Sequence, residues 1–301
     1  MRFCICRILK ERRFSLARRS FSEGGNRRLM GRDELRLAPK FMGRHRGTED
    51  VPQSASPWFK KALGNAIQEV THIKVLISPM IQAVIFDLDG TIVDSNEAHV
   101  LAWDRAFRHF GKKFPMDQLR KHIGKGADQY LPEFLSPEEL RTIGKKIEQC
   151  HAEVFKEEYL PQVRPFPKVR ELFERIKRDG KRIALATSGR KEELRIYKKI
   201  AHIEDLTDSE ITADDAEKSK PAPDLFEATL RKLGHPPAQT VLNVGDTPYD
   251  VEAAEKVGIR TIAVLCGGFS EKELRGAGAI AIYRELADLL EHYEASPIAS
   301  S

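Results

Sequence analysis

The sequence has few cysteines and no long hydrophobic run, and each absence excludes a class of protein. Its 301 residues contain four cysteines, Cys4, Cys6, Cys150 and Cys266. Four scattered cysteines are too few for a disulfide framework and fit a reducing compartment. Cys4 and Cys6 have no second pair or histidine cluster nearby, which leaves a zinc site with little support. Because no run of about 18 apolar residues occurs, we expect no membrane-spanning helix.

Charge of both signs is present, but it is unevenly distributed. The whole chain has 50 Lys and Arg against 45 Asp and Glu, a net charge of +5. Residues 1–79 contain 17 basic and 7 acidic residues, a net of +10, whereas residues 80–301 contain 33 and 38, a net of −5. Because the basic charge lies at one end, it does not indicate that the folded part binds nucleic acid.

Residues 1–79 are rich in Arg and Ser and show no sustained helical or strand period, so we predict a largely unstructured extension. Three interpretations compete: an organelle-targeting peptide, a basic arm for nucleic acid or anionic lipid, and upstream sequence translated from too early a start. We favour the last, since Met80 directly precedes the first clear strand, and rank targeting next. A cytoplasmic protein is therefore expected, or an organellar one if the extension is a transit segment.

From Met80 onward, short apolar runs alternate with amphipathic stretches. Short strands that alternate with helices predict a parallel sheet covered by helices on both faces. The predicted strands are 83–86, 183–186, 241–244 and 261–264, with weaker ones near 209–211 and 279–282, and the predicted helices are 168–178, 192–200, 223–233 and 251–257.

Residues 97–164 interrupt this alternation with consecutive predicted helices and no convincing strand. Since they lie between the first strand and the next α/β unit, we predict a helical domain inserted into the sheet domain. The predicted helices of the insert are 98–110, 116–123, 129–134 and 137–159. The predicted sheet domain comprises 80–96 and 165–293, and 294–301 form a tail.

Polar residues follow the predicted strands. In an extended chain Asp87 and Asp89 point to the same side, and two carboxylates so close favour a bound cation or a shared proton. Thr187, Ser188 and Gly189 follow the next strand and supply hydroxyl groups and backbone N–H groups.

Two further segments complete the predicted site. Lys218 and Lys220 lie on a proline-stiffened loop before a helix, and Asp246 and Asp250 lie at a strand-to-helix turn. In open α/β sheets, ligands bind in the crevice beyond the carboxyl ends of the strands. Acidic groups, hydroxyl groups, backbone donors and a lysine together indicate a site for a phosphate group and Mg²⁺.

These four segments resemble the ordered motifs of the haloacid-dehalogenase superfamily: DLDGT at 87–91, Thr187-Ser188, Lys220 in SKPAPD, and GDTPYD at 245–250. The resemblance covers about residues 80–290, and four motifs in order are far more specific than a single D-x-D. It implies a Rossmann-like three-layer α/β/α core with a parallel sheet. The insert resembles the α-helical cap of the phosphoglycolate-phosphatase-like and β-phosphoglucomutase-like branch.

The resemblance also implies roles. Asp87 would be the nucleophile that forms an aspartyl phosphate, and Asp89 the general acid and base. Mg²⁺ would be held by Asp87, the backbone carbonyl of Asp89, Asp246 and Asp250. Substrate phosphate would be bound by residues of the second and third motifs, Thr187, Ser188, Gly189 and Lys220.

Several of these assignments have alternatives. Thr187 and Ser188 could cap a helix, which is compatible with phosphate binding. Lys218 competes with Lys220, and we prefer Lys220 because it immediately precedes Pro221 as the motif requires. An acidic residue such as Asp250 is also expected in the first turn of a helix because of the helix dipole.

Two residues of the insert have competing interpretations. His99 is a candidate substrate-binding residue because it resembles a cap-side histidine of the mutase branch. Related phosphatases carry a similar histidine, and a surface or hinge histidine explains it equally well. Lys125 could face the active site and bind substrate, although a solvated loop lysine is the simpler interpretation. The loop 124–128 has no arginine where the mutase would place its phosphate-binding residue.

We therefore expect a Mg²⁺-dependent phosphatase that hydrolyses a small phosphorylated metabolite, a phosphate monoester, through an aspartyl phosphate. A sugar-phosphate phosphomutase is the nearest alternative, and dehalogenase activity is disfavoured. The alternative of another class is a nucleic-acid-binding protein that uses the basic N-terminal arm. We do not expect the core itself to bind nucleic acid.

Overall fold

The computed structural model describes residues 80–299. Six strands form one parallel sheet in the order β5-β4-β1-β6-β7-β8, and β2 pairs antiparallel with β3. The strands are β1 (Ala83–Phe86), β2 (Val93–Asp94), β3 (Arg164–Pro165), β4 (Arg182–Ala186), β5 (Ser209–Ile211), β6 (Val241–Gly245), β7 (Arg260–Val264) and β8 (Ala281–Tyr283). The predicted extension 1–79 lies outside the described residues.

Helices cover both faces of the sheet. Each residue of β1 is buried, as expected for a central strand of a parallel sheet. The helices of the sheet domain that follow the insert are α6 (Val169–Arg178), α7 (Lys191–Ile200), α8 (Asp224–Lys232), α9 (Pro248–Glu255), α10 (Glu271–Ala277) and α11 (Leu286–Glu291). Val84 and Phe86 pack in one core with α6, α7 and α11, whereas Ala83 and Ile85 pack in a second core with α8 and α9. The predicted three-layer α/β/α fold is confirmed.

The insert between β2 and β3 is helical. Its α-helices are α1 (Asn96–His109), α2 (Met116–Lys121), α3 (Ala127–Tyr130), α4 (Pro137–Glu139) and α5 (Lys145–Val154). Leu140–Gly144 and Phe155–Tyr159 are wider helical turns on either side of α5. An aromatic cluster that includes Trp103, Phe107 and Tyr130 forms its own small core. We call this insert the cap; its predicted domain limits, 97–164, remain a prediction.

The antiparallel pair of β2 and β3 is a feature that the sequence pattern did not predict. Val93 pairs with Pro165, and Asp94 pairs with Arg164, so the two connections to the cap lie side by side. Two-residue strands are too short to show a period-2 pattern. The pair fixes the point at which the cap leaves the sheet domain.

Two segments in the second half of the chain differ from the prediction. The segment predicted as a tail is described as far as residue 299, and Ile298 is fully buried in the core. Helix α9 begins at Pro248, three residues earlier than predicted, because Thr247 caps it and proline suits the first helical position. Among residues 80–299, no helix has the length and apolar character needed to cross a membrane.

Candidate active site

The predicted site residues converge at the carboxyl edge of the sheet. Asp87 follows β1, Thr187 follows β4 and Asp246 follows β6. Since β1 lies between β4 and β6, Asp87 is at the centre of the three. The chain leaves β1 toward β4 on one side and later returns to β6 on the other. This is the topological position at which open α/β sheets bind ligands.

Lys220 lies between two of the carboxylates. Its Nζ is 2.5 Å from Asp87 Oδ1 and 2.7 Å from Asp250 Oδ1, and it donates to the backbone carbonyl of Ala186 at 2.9 Å. The side chain is only 1% exposed. Burial lowers the pKa of Lys220, but the charges of Asp250 and Asp87 outweigh that effect and raise it above its ordinary value. Lys220 is therefore a cation at neutral pH beside the predicted nucleophile.

Lys218, the competing lysine, lies elsewhere. It is exposed, and its backbone N–H donates to Asp224 Oδ1 at 3.1 Å. The geometry accordingly supports Lys220, two positions further along, as the lysine of the site.

Asp246 accepts hydrogen bonds from a residue of the sheet domain and from a residue of the cap. Thr91 Oγ1 donates to Asp246 Oδ1 at 3.0 Å, and Asn96 Nδ2 donates to Asp246 Oδ2 at 2.8 Å. A Cβ atom on Gly267 would lie 1.7 Å from Asp246 Oδ2, and one on Gly90 would lie 2.3 Å from it. The two glycines thus allow the backbone to approach the carboxylate closely.

Three buried carboxylates lie close enough to hold one metal ion. One oxygen each from Asp87, Asp246 and Asp250 fall within 4.8 Å of one another. Asp250 is fixed by Thr247, whose Oγ1 and backbone N–H donate to its Oδ2 at 2.7 and 3.1 Å. Buried carboxylate oxygens are the donors that Mg²⁺ prefers.

The charge balance of this cluster also fits a cation. Burial raises the pKa of Asp87 to about 7, with Asp250 and Asp89 adding to the rise and Lys220 opposing it. Burial and the charges of Asp250 and Asp87 raise the pKa of Asp246 as well. One lysine therefore does not neutralise the cluster, and a divalent cation would favour the ionised carboxylates.

Asp89 points toward the cap rather than toward Lys220. Its Oδ1 accepts a hydrogen bond from Ser95 Oγ at 2.6 Å and lies 3.1 Å from His99 Nε2. Burial raises the pKa of Asp89, but the charge and hydrogen bonds of these partners outweigh it and lower the pKa. Burial lowers the pKa of His99, but the charge of Asp89 outweighs it and raises the pKa. The two side chains form an ion pair within the site.

His99 is also fixed from the side of the cap. Its Nδ1 lies 3.3 Å from His151 Nε2, and its ring stacks on Phe155 with centroids 3.8 Å apart. The side chain is 13% exposed. His99 is therefore packed into the interface between cap and core and contacts Asp89, in contrast to a surface histidine.

The second motif lies beside a cavity and carries two hydroxyl groups. Thr187 Oγ1 accepts a hydrogen bond from the N–H of Gly189 at 2.9 Å. Ser188 Oγ is buried and has no hydrogen-bond partner among residues 80–299. Thr187 and Ser188 are both among the residues that line the cavity.

Lys125 is not a solvated loop lysine. Its side chain is 9% exposed, and Nζ donates to Glu133 Oε1 at 2.7 Å and lies 4.7 Å from the ring centroid of Tyr249. It lines the cavity, but its charge is already paired.

The cavity lies between cap and core and has a volume of about 560 Å³. Asp87, Asp89 and Thr187 line its core side, and Ile123 and His151 line its cap side. A cavity of this size admits a small organic molecule. Its two sides imply that the core contributes the chemistry while the cap contacts the remainder of the ligand.

Sequence reasoning missed several residues that hold the site together: Thr91, Ser95, Asn96, Asp128, His151 and Ser219. Ser95 and Asn96 stand at the start of a helix, where polar residues are ordinary caps. Because a capping role already accounts for polar residues at this position, the sequence did not indicate their long-range contacts. His151 gave no signal, because 52 residues separate it from His99.

The fold and site together define a hydrolase with a Rossmann-like core and a helical cap. The profile of the haloacid dehalogenase-like hydrolase family matches residues 84–264. The chain belongs to this family, and the predicted resemblance is confirmed.

Individual relatives agree with this assignment. A phosphoglycolate phosphatase of Aquifex aeolicus (strain VF5) is 31% identical over 194 residues, which cover 62% of this chain and 85% of the relative. A hydrolase structure from Pseudomonas syringae has a TM-score of 0.65 and 29% identity, covering 71% of this chain and 98% of its own. A Bacteroides vulgatus structure with the provisional name β-phosphoglucomutase has a TM-score of 0.64 and 25% identity, covering 76% and 94%.

Proposed function

We propose that this protein is a Mg²⁺-dependent phosphatase of small organic phosphate monoesters, with Asp87 as the nucleophile. The observation that carries the proposal is the 2.5 Å contact between Asp87 Oδ1 and Lys220 Nζ inside a cluster of buried carboxylates. Similarity to a relative named phosphoglycolate phosphatase supports the substrate class. The cavity of about 560 Å³ suits a small ester.

In the first half of the reaction, a carboxylate oxygen of Asp87 attacks the phosphorus atom, and the bond from phosphorus to the ester oxygen breaks. Burial lowers the pKa of His99, but the charge of Asp89 outweighs that effect and raises the pKa, which favours a proton on the Asp89–His99 pair. That proton passes from His99 to Asp89 and from Asp89 to the departing alkoxide, which leaves as an alcohol.

In the second half, Asp89 accepts a proton from a water molecule whose oxygen attacks the phosphorus atom of the aspartyl phosphate. The bond from phosphorus to Asp87 breaks, which releases inorganic phosphate and restores the Asp87 carboxylate. Asp89 therefore acts as acid and then as base, and its contacts with Ser95 and His99 hold it in place for both steps.

Attack of a carboxylate on a phosphate dianion is opposed by Coulomb repulsion, which the site must offset. Lys220 supplies one positive charge, and Thr187 and Ser188 supply hydroxyl donors to the phosphate oxygens. Bound Mg²⁺ would supply further positive charge at Asp87, the Asp89 backbone carbonyl, Asp246 and Asp250.

The test is hydrolysis of a panel of phosphate esters, including phosphoglycolate and sugar phosphates, by the full chain with and without Mg²⁺. We expect phosphate release that requires Mg²⁺ and is lost in Asp87→Asn. Asp117→Asn is the control, because Asp117 is an exposed cap residue. Activity of Asp87→Asn equal to wild type would refute the nucleophile assignment.

A phosphomutase is the second candidate, favoured by similarity to the Bacteroides vulgatus structure with the provisional name β-phosphoglucomutase. It predicts net conversion of β-glucose 1-phosphate without phosphate release. Phosphate release from the same compound favours the phosphatase. The nucleic-acid-binding alternative depends on residues 1–79, and binding that survives their deletion would exclude that arm as its cause.

A further inference from the structure

A cap loop, residues 124–128, contacts the core directly beside Lys220. The N–H of Gly126 donates to Ser219 Oγ at 3.0 Å. Asp128 accepts two hydrogen bonds from Ser219, one from its backbone N–H at 3.1 Å and one from its hydroxyl group. Ser219 is only 4% exposed. Its hydrogen-bonding groups are thus directed at the cap loop.

Two glycines allow this loop to approach the core so closely. A Cβ atom on Gly126 would lie 2.5 Å from Ser219 Oγ, and one on Gly124 would lie 2.5 Å from Thr247 Cγ2. Gly124 also has a φ of +95°, which a residue with a side chain rarely adopts. The loop therefore contacts two core segments, one at Ser219 and one at Thr247.

Those two segments hold the two members of one ion pair. Ser219 immediately precedes Lys220, and Thr247 Oγ1 donates to Asp250 Oδ2 at 2.7 Å. Lys220 Nζ is in turn 2.7 Å from Asp250 Oδ1. A displacement of the cap loop would thus remove contacts from both segments that fix Lys220.

We propose that Asp128 is a positioning residue that couples closure of the cap to the alignment of Lys220 with Asp87. When the cap covers the cavity, Asp128 binds both donors of Ser219 and fixes the loop that carries Lys220. When the cap opens, Ser219 loses both of its hydrogen bonds to Asp128, and Lys220 is less well ordered. The inference rests on the proposed function, because Lys220 acts there on the phosphate and the nucleophile.

Another contact between cap and core provides a control. Lys156 on the cap pairs with Glu192 on the core at 2.9 Å, with side chains 59% and 66% exposed. An exposed ion pair of this kind contributes little. Lys156→Gln therefore removes a contact between the same two parts of the chain without affecting the segment around Lys220.

The first test compares Asp128→Asn with wild type in steady-state hydrolysis of the best ester from the panel. Asparagine keeps the size of the side chain but offers one acceptor oxygen to two donors. We expect kcat about tenfold lower, since small misplacements of catalytic groups are costly. KM should stay within about twofold, since Asp128 acts through Ser219. Lys156→Gln should match wild type, and a wild-type kcat in Asp128→Asn would overturn the proposal.

Combining Asp128→Asn with Ser219→Ala separates positioning from general damage. If both act through one contact, the double variant should lose no more activity than the worse single variant. Fully additive losses accompanied by a lower melting temperature would overturn the proposal.

Hydrogen exchange provides a readout that does not depend on turnover. Asp128→Asn should accelerate exchange in residues 216–222, whereas Lys156→Gln should not. Unchanged exchange in residues 216–222 would overturn the proposal, whether or not the wild-type protein hydrolyses an ester of the panel. Failure of the wild-type protein to hydrolyse any ester would count against the proposed function alone.

Discussion

Asn96, the first residue of helix α1, donates a hydrogen bond of 2.8 Å to Asp246, although 150 residues separate them. The same amide group donates to the backbone carbonyl of Gly267 at 2.9 Å. The start of the cap and the carboxyl end of β6 are therefore joined at a predicted metal ligand. This amide orients Asp246, so the cap contributes to the predicted metal site as well as to the substrate cavity.

Replacement of Asn96 by alanine should weaken metal binding. Removing a group that orients a metal ligand typically lowers affinity about 10- to 100-fold. Mg²⁺ titrations of the hydrolysis rate and calorimetry should both show a loss in this range for Asn96→Ala. Gln149→Ala, at an exposed cap amide that bonds to Glu153, is the matched control. Equal Mg²⁺ affinity in Asn96→Ala and wild type would contradict this role.

Replacement of Lys220 by methionine should impair both activity and stability. The change removes the buried cation between Asp87 and Asp250. Breaking a buried ion pair typically costs about 3–5 kcal/mol, and loss of electrostatic stabilisation at a reacting group costs about 10²- to 10³-fold in kcat. Denaturant unfolding in EDTA at pH 8 and turnover with saturating Mg²⁺ measure the two effects.

Lys218→Met is the control for this change, because Lys218 is exposed and forms no ion pair among residues 80–299. It should resemble wild type in both measurements. If Lys218→Met were the inactive variant and Lys220→Met the active one, the assignment of the motif lysine would be wrong.

The sequence predicted the sheet because its central strands are continuous apolar runs, such as Ala83–Phe86, and strands of this kind have a local signature. It predicted Asp87 and Asp246 because each follows such a strand. Contacts such as Asn96 with Asp246, or Asp128 with Ser219, depend on how the cap folds back over the core. No local pattern encodes that packing, so only the structure reveals it.

The contact between His99 and Asp89 predicts a shift in the pH dependence of the reaction. In the proposed reaction, His99 holds the proton that Asp89 delivers to the leaving group. Burial lowers the pKa of His99, but the charge of Asp89 outweighs that effect and raises the pKa. In His99→Ala the proton must reside on Asp89 alone and should be lost at lower pH. The alkaline inflection of kcat/KM should therefore move to lower pH, and kcat should fall about 10- to 100-fold, because the proton-transfer group loses its orientation.

A pH profile of kcat/KM from pH 4 to 9 measures this shift. His109→Ala, at an exposed histidine near the end of the same helix, should leave the profile unchanged. A profile of His99→Ala that coincides with wild type would show that Asp89 does not depend on His99.

A methyl group at position 267 should disturb the metal site from the backbone side. The Cβ atom of Gly267→Ala would lie 1.7 Å from Asp246 Oδ2, so the carboxylate or the loop after β7 must move. A displaced ligand should lower apparent Mg²⁺ affinity by at least about tenfold.

Gly276→Ala is a matched control nine residues away, because its Cβ atom would meet nothing within 4 Å. Since alanine is favoured over glycine inside a helix by about 1 kcal/mol, Gly276→Ala should raise the melting temperature and keep wild-type Mg²⁺ dependence. If Gly267→Ala also kept wild-type Mg²⁺ dependence, the close approach of this backbone to Asp246 would not be needed for metal binding.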